Sequence, residues 1–393
     1  MNDHLLKYRE RFPILARTNY LISNSLGAMP AETHDAVQEY TKIWEDRGVR
    51  AWEEKWWEMV TGAGNLVAPL LGAGEGEVAF MPNVTTSHAI IFSAFDYRDR
   101  PKVVTDEMHF PSVLYLLKGQ EGLGAEIEVV PSEDGISVDT EKIVAAIDEK
   151  TAYVNISHVL FKSAYIHDVK SIAEKAHECG ALVIIDGYQA VGTVPVDVHD
   201  IGADVYMGGC LKWLCGGPGS AFLWVRPDII PELKPRFTGW FSHTDPFAFD
   251  TTHEQREDIW KFLNGTPPIP ALYAIQPGLR IINEIGAAAI REKSMHQTKN
   301  LIELAEAKGY KCNAPADPER RGGTVAVDVE HAREISKALK AREIICDFRV
   351  GAGIRLSPHF YNTDSELEDA VNAIADILET GEWKNFSSAS TVT

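Results

Sequence analysis

Two residues carry the first chemical signal in this chain. Asp186 closes the apolar run 181–185, and Lys212 follows the apolar segment 203–207 and the pair Gly208-Gly209. Short apolar runs of this kind read as buried strands of a parallel sheet. The spacing therefore places an acid at the end of one strand and a lone lysine just past the end of the next. Open α/β sheets bind ligands beyond the C-terminal ends of their strands. A lysine in a partly dry pocket can lose its proton there and form an imine. A neighbouring carboxylate can keep a pyridinium nitrogen protonated. That pair suits pyridoxal phosphate, which needs a Schiff-base lysine and an acidic partner for its ring nitrogen. A structural carboxylate and a loop lysine are the plainer alternative.

Other residues extend the pattern. Thr85 and Thr86 stand where a strand over 77–80 turns into a helix that runs through Phe92. A helix N-terminus offers unpaired N–H groups and the positive end of its dipole, so these hydroxyls could hold a phosphate; an ordinary N-cap would use the same residue types. His109 and Phe110 follow the strand 103–105, and one of them could lie flat on a pyridine ring. Other chemistries lack their motifs. The glycines of 72–76 precede a strand instead of following one, so they form neither a dinucleotide fingerprint nor a P-loop. The histidines are scattered, no HExxH or CxxC is present, and no metal site is expected. Ser220 begins an apolar strand and lacks the nucleophile-elbow pattern.

The elements that position these residues read as alternating strands and helices from about 77 to 225, the pattern of a mostly parallel sheet. The expected fold is α/β, with a large three-layer domain and a smaller C-terminal α/β domain. Boundaries are expected at 1–60 for an N-terminal arm and helices serving the small domain and a dimer contact, 61–285 for the large domain, 286–383 for the small one and 384–393 for a flexible tail. One helix is expected over about 56–71. Strands are expected near 323–329 and 344–350, and helices over 269–285, 288–308 and 365–379. Trp44, Trp52, Trp56 and Trp57 could line a pocket mouth or pack against a core or second subunit. The 393 residues suggest two domains. The 38 basic against 57 acidic residues, a formal charge of −19, oppose nucleic acid or an anionic membrane as a partner. No run of 18 apolar residues suggests a membrane span, and the first residues lack a signal-peptide core. Five cysteines without ligand spacing argue against a disulfide framework, so the cytoplasm is the expected compartment.

A series of stretches resembles a known group: SNSLG (23–27), the TT turn (85–86), HFPSVLY (109–115), SHVLFKSAYIHD (157–168), IIDGYQAVGTVPVDV (184–198), KWLCGGPGSAFLWVRP (212–227), GW (239–240), GTPPI (265–269) and IRLSPHFYN (354–362). In this order the chain resembles the fold-type I pyridoxal-phosphate enzymes of aminotransferase class V, most closely their kynureninase-like branch. The resemblance implies that Lys212 carries the cofactor and Asp186 binds its ring nitrogen. It implies Gln189 near the phenolic oxygen, Thr85 and Thr86 on the phosphate, and Phe110 stacked on the ring. Arg355 would pair with the substrate carboxylate, a task suited to a guanidinium fork. Asn24 and Ser25 would shape the substrate side. Trp240 and Thr266 would reach the site from the other subunit of a homodimer.

Two departures stand out. Kynureninases usually place a tyrosine before the lysine, where this chain has Leu211, and an aspartate three residues after the stacking phenylalanine, where it has Val113. The leading expectation is a kynureninase-like hydrolase or lyase cleaving an amino acid at its side chain, with His158, Tyr188 or His243 as possible acid or base. A class V aminotransferase or amino-acid epimerase is the first alternative. A cysteine desulfurase is weaker, because residues 351–362 hold no cysteine and Cys210, Cys215 and Cys346 read as buried. A non-catalytic binding protein is the last.

Overall fold

The structure is a computed structural model and describes residues 3–249 and 251–387. The chain begins with two 3-10 turns, His4–Arg11 and Pro13–Ala16, and the short strand β1 (Asn19–Tyr20). Helix α1 (Thr33–Arg47) follows. The single helix expected over 56–71 is interrupted: a π-helical turn Trp52–Trp56 leads into α2 (Trp57–Gly62) and then α3 (Gly64–Leu71). Of the four tryptophans, Trp56 is buried and Trp44 is exposed. Trp52 meets Trp56 edge to face and Trp57 at a tilt, so most of the group packs on itself.

The alternating stretch folds as β2 (Val78–Met81), α4 (Val84–Phe92), β3 (Lys102–Asp106), α5 (Pro111–Gln120), β4 (Glu126–Val130), α6 (Thr140–Ala146), β5 (Thr151–Ser157), α7 (Val169–Glu178), β6 (Leu182–Asp186), β7 (Val205–Gly209) and β8 (Ala221–Val225). They make one seven-stranded sheet in the order β2-β8-β7-β6-β5-β3-β4. Strands β4, β3, β5, β6 and β7 are parallel. Strand β8 runs against both β7 and β2. The connection from β7 to β8 carries no helix, and a parallel return needs a longer crossover, so β8 comes back antiparallel. Strands β5, β7 and β8 are buried along their whole length, which is why they read as unbroken apolar runs. Separate apolar clusters pack on the two faces of the sheet.

Helices α8 (Ile269–Ile285) and α9 (Ala287–Ala307) lead to the C-terminal unit. Its elements are β9 (Lys311–Cys312), β10 (Val325–Asp328), α10 (Ala332–Ala341), β11 (Ile344–Ile345), β12 (Asp347–Arg349), β13 (Gly353–Leu356) and α11 (Asp364–Thr380). The antiparallel sheet β12-β13-β10-β9 packs with α9, α10 and α11 around a third core. The strand expected over 344–350 divides, because β11 pairs in parallel with β1 of the N-terminal arm while β12 joins β13. A capping box of Thr363 and Glu366 starts α11. The first residues of the tail expected from 384 are structured: Glu382–Phe386 is a 3-10 turn whose Trp383 and Phe386 pack on the third core. The remainder of that expectation, 388–393, lies outside the described residues.

Helix α8 sits directly on the turn that follows Lys212. A Cβ at Gly278 would stand 2.4 Å from the Leu214 carbonyl oxygen and 2.7 Å from that of Cys215. Gly278→Ala is therefore expected to lose about 1–3 kcal/mol of stability. A urea midpoint equal to wild type would show that the helix does not seat on this turn.

Candidate active site

Asp186 is the last residue of β6, and its neighbour in register on β7 is Met207. Lys212 lies three residues beyond the end of β7. Adjacent parallel strands thus deliver the acid and the lysine to the same edge of the sheet. Both line a cavity of about 220 Å³ together with Asn83, Thr85, Phe110 and Gln189. Lys212 is half-buried, and burial lowers its pKa to about 8; nearby Asp186 opposes that shift, while Arg355 and Arg349 reinforce it. Its Nζ lies 4.2 Å from the centroid of the Tyr188 ring. Asp186 is buried, and burial raises its pKa, against the influence of His88, the Tyr188 N–H and Lys212. The Tyr188 N–H donates to Asp186 Oδ1 at 2.8 Å.

The N-terminus of α4 forms another part of the wall. Asn83 is the cap, and its Oδ1 accepts from the Thr86 N–H at 2.9 Å and the Thr86 hydroxyl at 3.1 Å. Thr86 therefore serves the ordinary cap, while Val84 and Thr85 line the cavity at the positive end of the helix, where an anion is favoured. Phe110 caps α5 with its ring in the cavity wall, and the Lys212 Nζ lies 5.8 Å from its centroid. His109 is buried behind it, so of the two aromatic residues Phe110 is the one that can face a planar ring.

Gln189 is fixed at both ends of its amide. It donates through Nε2 to the Asn24 carbonyl at 3.0 Å and accepts from Trp213 Nε1 at 2.8 Å. The Asn24 amide is 1% exposed, and neither its oxygen nor its nitrogen has a partner within the protein. A buried polar group in that state is costly unless a ligand meets it. Ser25 is half-buried in the same turn. Gly27 presses this arm against the lysine turn: its N–H donates to the Leu211 carbonyl at 2.9 Å, and a Cβ there would meet the Lys212 oxygen at 2.1 Å.

Arg355 stands apart from the cavity wall. On β13 it is buried and paired with Asp347, Nε to Oδ1 at 2.8 Å and Nη2 to Oδ2 at 2.5 Å, while Nη1 donates to the Phe161 carbonyl at 2.5 Å. Arg349 Nη2 shares the same Asp347 carboxylate at 3.2 Å. A guanidinium has five N–H donors, so Arg355 keeps two beyond these three bonds. Trp240 and Thr266 are exposed and do not line this cavity. Trp240 packs in its own chain among Trp57, Phe241, Phe247 and Phe249.

Leu211 and Val113, the two departures, are both in the cavity wall. The three acid–base candidates separate. Tyr188 lines the cavity. His158 is buried, its Nδ1 2.9 Å from the Tyr206 hydroxyl, and burial lowers its pKa to about 4. His243 binds the Glu254 carbonyl in the 240–256 loop. Cys210 and Cys346 are buried with thiol pKa values pushed up to about 12, and Cys215 is buried with its thiol pushed higher still. None of the three is a ready nucleophile.

One group escaped the sequence reading. A ring nitrogen of His88, a ring nitrogen of His109 and a carboxylate oxygen of Asp186 lie within 4.8 Å of one another, all buried. They look scattered in the sequence because they come from α4, the β3–α5 turn and β6. The available signal was that each lies within a few residues of the same sheet edge. Taken together, a lysine of lowered pKa, a buried acid at the neighbouring strand tip, a helix N-terminus and an aromatic wall form a donor set that fits pyridoxal phosphate.

Residues 19–369 match the family Aminotransferase class-V. The chain is 32% identical to the kynureninase of Pseudomonas fluorescens, over 97% of this chain and 94% of that one. It is 33% identical to the uncharacterized aminotransferase YcbU of Bacillus subtilis (strain 168), over 95% and 98%. In fold it is similar to the apo structure of a cysteine desulfurase from Thermococcus onnurineus NA1, with a TM-score of 0.85 and 21% identity over 95% of this chain and 98% of that one.

The lowered pKa gives a direct test. In cofactor-free protein, the borohydride-trapped attachment of an aldehyde at Lys212 is expected to rise with pH and reach half its maximum near about 8. A midpoint close to the ordinary lysine value of 10.5 would mean that the side chain is not held in a dry environment.

Proposed function

Because the chain belongs to the aminotransferase class V family of pyridoxal-phosphate enzymes, we propose that it exchanges the amino group of an amino acid with an apolar side chain, using Lys212 as the base at the α-carbon. The observation that carries this reading is the composition of the cavity wall. Among the described residues, its titratable side chains are Asp186, Tyr188 and Lys212, and Leu211 and Val113 stand where side-chain hydrolysis would call for a hydroxyl and a carboxylate. Removing a single transition-state hydrogen bond can cost about 10²–10³ in rate, so a hydrolytic route is poorly served here. Val159 and Phe161 extend the apolar wall and suit an apolar side chain.

The residues divide the work as follows. Pyridoxal phosphate, when bound, supplies an electron sink for the α-carbon. Asp186 would hold the ring nitrogen, Thr85 and the α4 N-terminus the phosphate, and Phe110 would cover the ring. Gln189, whose amide is fixed by Trp213 and Asn24, would have one N–H left for the phenolic oxygen. Lys212 Nζ, the lone amine on this wall, would take the proton from the α-carbon and deliver it on the same side to the cofactor carbon that bears the transferred nitrogen. A single base serving both carbons from one face suits amino-group transfer, whereas inversion calls for a proton donor on the opposite face. The terminal edge of Arg355 and the unpartnered Asn24 amide take the substrate carboxylate. We place Trp240 and Thr266 in the neighbouring subunit's site, within a homodimer. Side-chain hydrolysis is the second reading, favoured by the full-length similarity to kynureninases.

A screen of the holoenzyme against amino acids, kynurenine included, with a keto-acid acceptor present distinguishes the two. Keto acid formed in step with the aminated acceptor is expected, and release of a cleaved side chain overturns the transfer reading. Lys212→Ala should keep the fold, lose covalent cofactor attachment and lose turnover by at least about 10³-fold. Arg355→Lys is expected to raise KM for the amino acid by about tenfold or more, because an ammonium cannot make the paired contact; an unchanged KM would remove the carboxylate role.

A further inference from the structure

Arg355 is tied to Asp347, and Asp347 is tied to a second arginine. Residues 347 and 349 alternate along β12 and so share one face of the sheet. Arg355 is the direct partner of Asp347 in register on β13, and Gly353 is the partner of Arg349. A side chain at 353 is excluded, because a Cβ there would stand 2.4 Å from the Val327 carbonyl oxygen and the backbone φ is +113°. Arg349 thus has no side chain opposite it, and its Nη2 lies 3.2 Å from Asp347 Oδ2. Asp347 and Arg355 are buried, and Arg349 is half-buried. Among the described residues, neither arginine forms an ion pair with any other acid. Two guanidinium groups therefore share one carboxylate, and the trio carries one net positive charge. Lys162 and Arg333 sit over the neighbouring Phe161 and Phe348 rings, where they are more exposed and better screened by solvent. The field of the trio reaches the active site: Arg355 and Arg349 lower the Lys212 pKa, and Asp347 raises it.

We propose that Arg349 is a positioning residue that, by sharing Asp347, leaves Arg355 one net positive charge to offer an amino acid's carboxylate; this rests on the carboxylate role given to Arg355 above. Without Arg349, Arg355 and Asp347 would form a closed, neutral pair. An arriving carboxylate would then gain one cation and meet one anion at close range, in a buried setting where an unbalanced charge is costly. With Arg349 present, Asp347 has a second cation beside it, and the trio with one bound carboxylate is neutral. The same count sets the class of substrate. A single carboxylate at this end balances the charge, an amide leaves it unbalanced, and a second carboxylate overshoots it. An amino acid whose side chain carries no acid is the ligand that fits, in keeping with the apolar wall of Val159 and Phe161.

Two measurements on the same variants test this. One is KM and kcat of the holoenzyme with its amino acid. The other is the pH midpoint of borohydride-trapped aldehyde attachment at Lys212 in cofactor-free protein. Arg349→Gln should raise KM by about tenfold or more and change kcat by less than about threefold. Arg349→Lys keeps the charge and should restore most of the affinity. Adding Asp347→Asn to Arg349→Gln returns the net charge to that of the wild type and should recover most of the loss, whereas a packing defect would be deepened by a second lesion. The trapping midpoint should rise in Arg349→Gln, because a cation that disfavours the ammonium is gone, and fall back in the double variant. Arg355→Lys measured alongside keeps the two readings apart. An unchanged KM in that variant removes the carboxylate role and this inference with it. A KM raised there but unchanged in Arg349→Gln, or a loss that Asp347→Asn does not relieve, overturns the inference alone.

Discussion

Burial of an amine beside a carboxylate at one edge of the sheet is the constraint on which the molecule turns. Removing either charge from water is expensive, and the usual response of a protein is to neutralise the group or pair it. Here burial pulls the lysine down to about 8 and pushes the aspartate up, while each group partly restrains the other. The lysine therefore reaches its neutral form more readily near neutral pH, and the acid keeps one hydrogen bond from the Tyr188 N–H. The close supports of the pair are the Tyr188 ring and N–H and the glycine turn beneath α8.

The sheet edge was legible in the sequence because it depends on local pattern. Unbroken apolar runs ending in Asp186 and Gly209 mark buried strands, and because β6 and β7 pair in parallel the residues just past them are neighbours. Thr85 and Phe110 were legible for the same reason, since each opens a helix after a strand. The direction of β8 was not legible from apolar content, which is alike in both orientations; only the length of its connection decides it. The 56–71 helix breaks at Ala63, between Gly62 and Gly64, and apolar periodicity does not register an interruption of one residue. Contacts between distant segments were beyond reach altogether. Nothing near residues 88 and 109 announces that they meet Asp186, and nothing near 355 announces that Asp347 occupies one edge of its guanidinium.

That last pair separates carrying the right residue from presenting it. Arg355 has the side chain a carboxylate binder needs, yet one edge of its fork is committed to Asp347 and a further donor to the Phe161 carbonyl. Such a pair fixes the plane of the guanidinium before any substrate arrives, which lowers the entropy lost on binding. In the proposed role, a carboxylate would find only the donors left by Asp347 and Phe161, so its approach would be set by Asp347 as much as by the arginine. Leu211 and Val113 differ in kind, since they contribute apolar surface and no hydrogen-bonding side chain to the cavity wall beside the lysine.

The N-terminal arm joins the two units in a way that bears on motion. Its strand is stitched to β11 of the C-terminal unit, and a few residues later Gly27 is bonded to the backbone beside Lys212. Less than ten residues of chain therefore connect the outer unit to the lysine turn. Such a short strap leaves little slack, so the position of the C-terminal unit and that of the loop carrying Lys212 are set together.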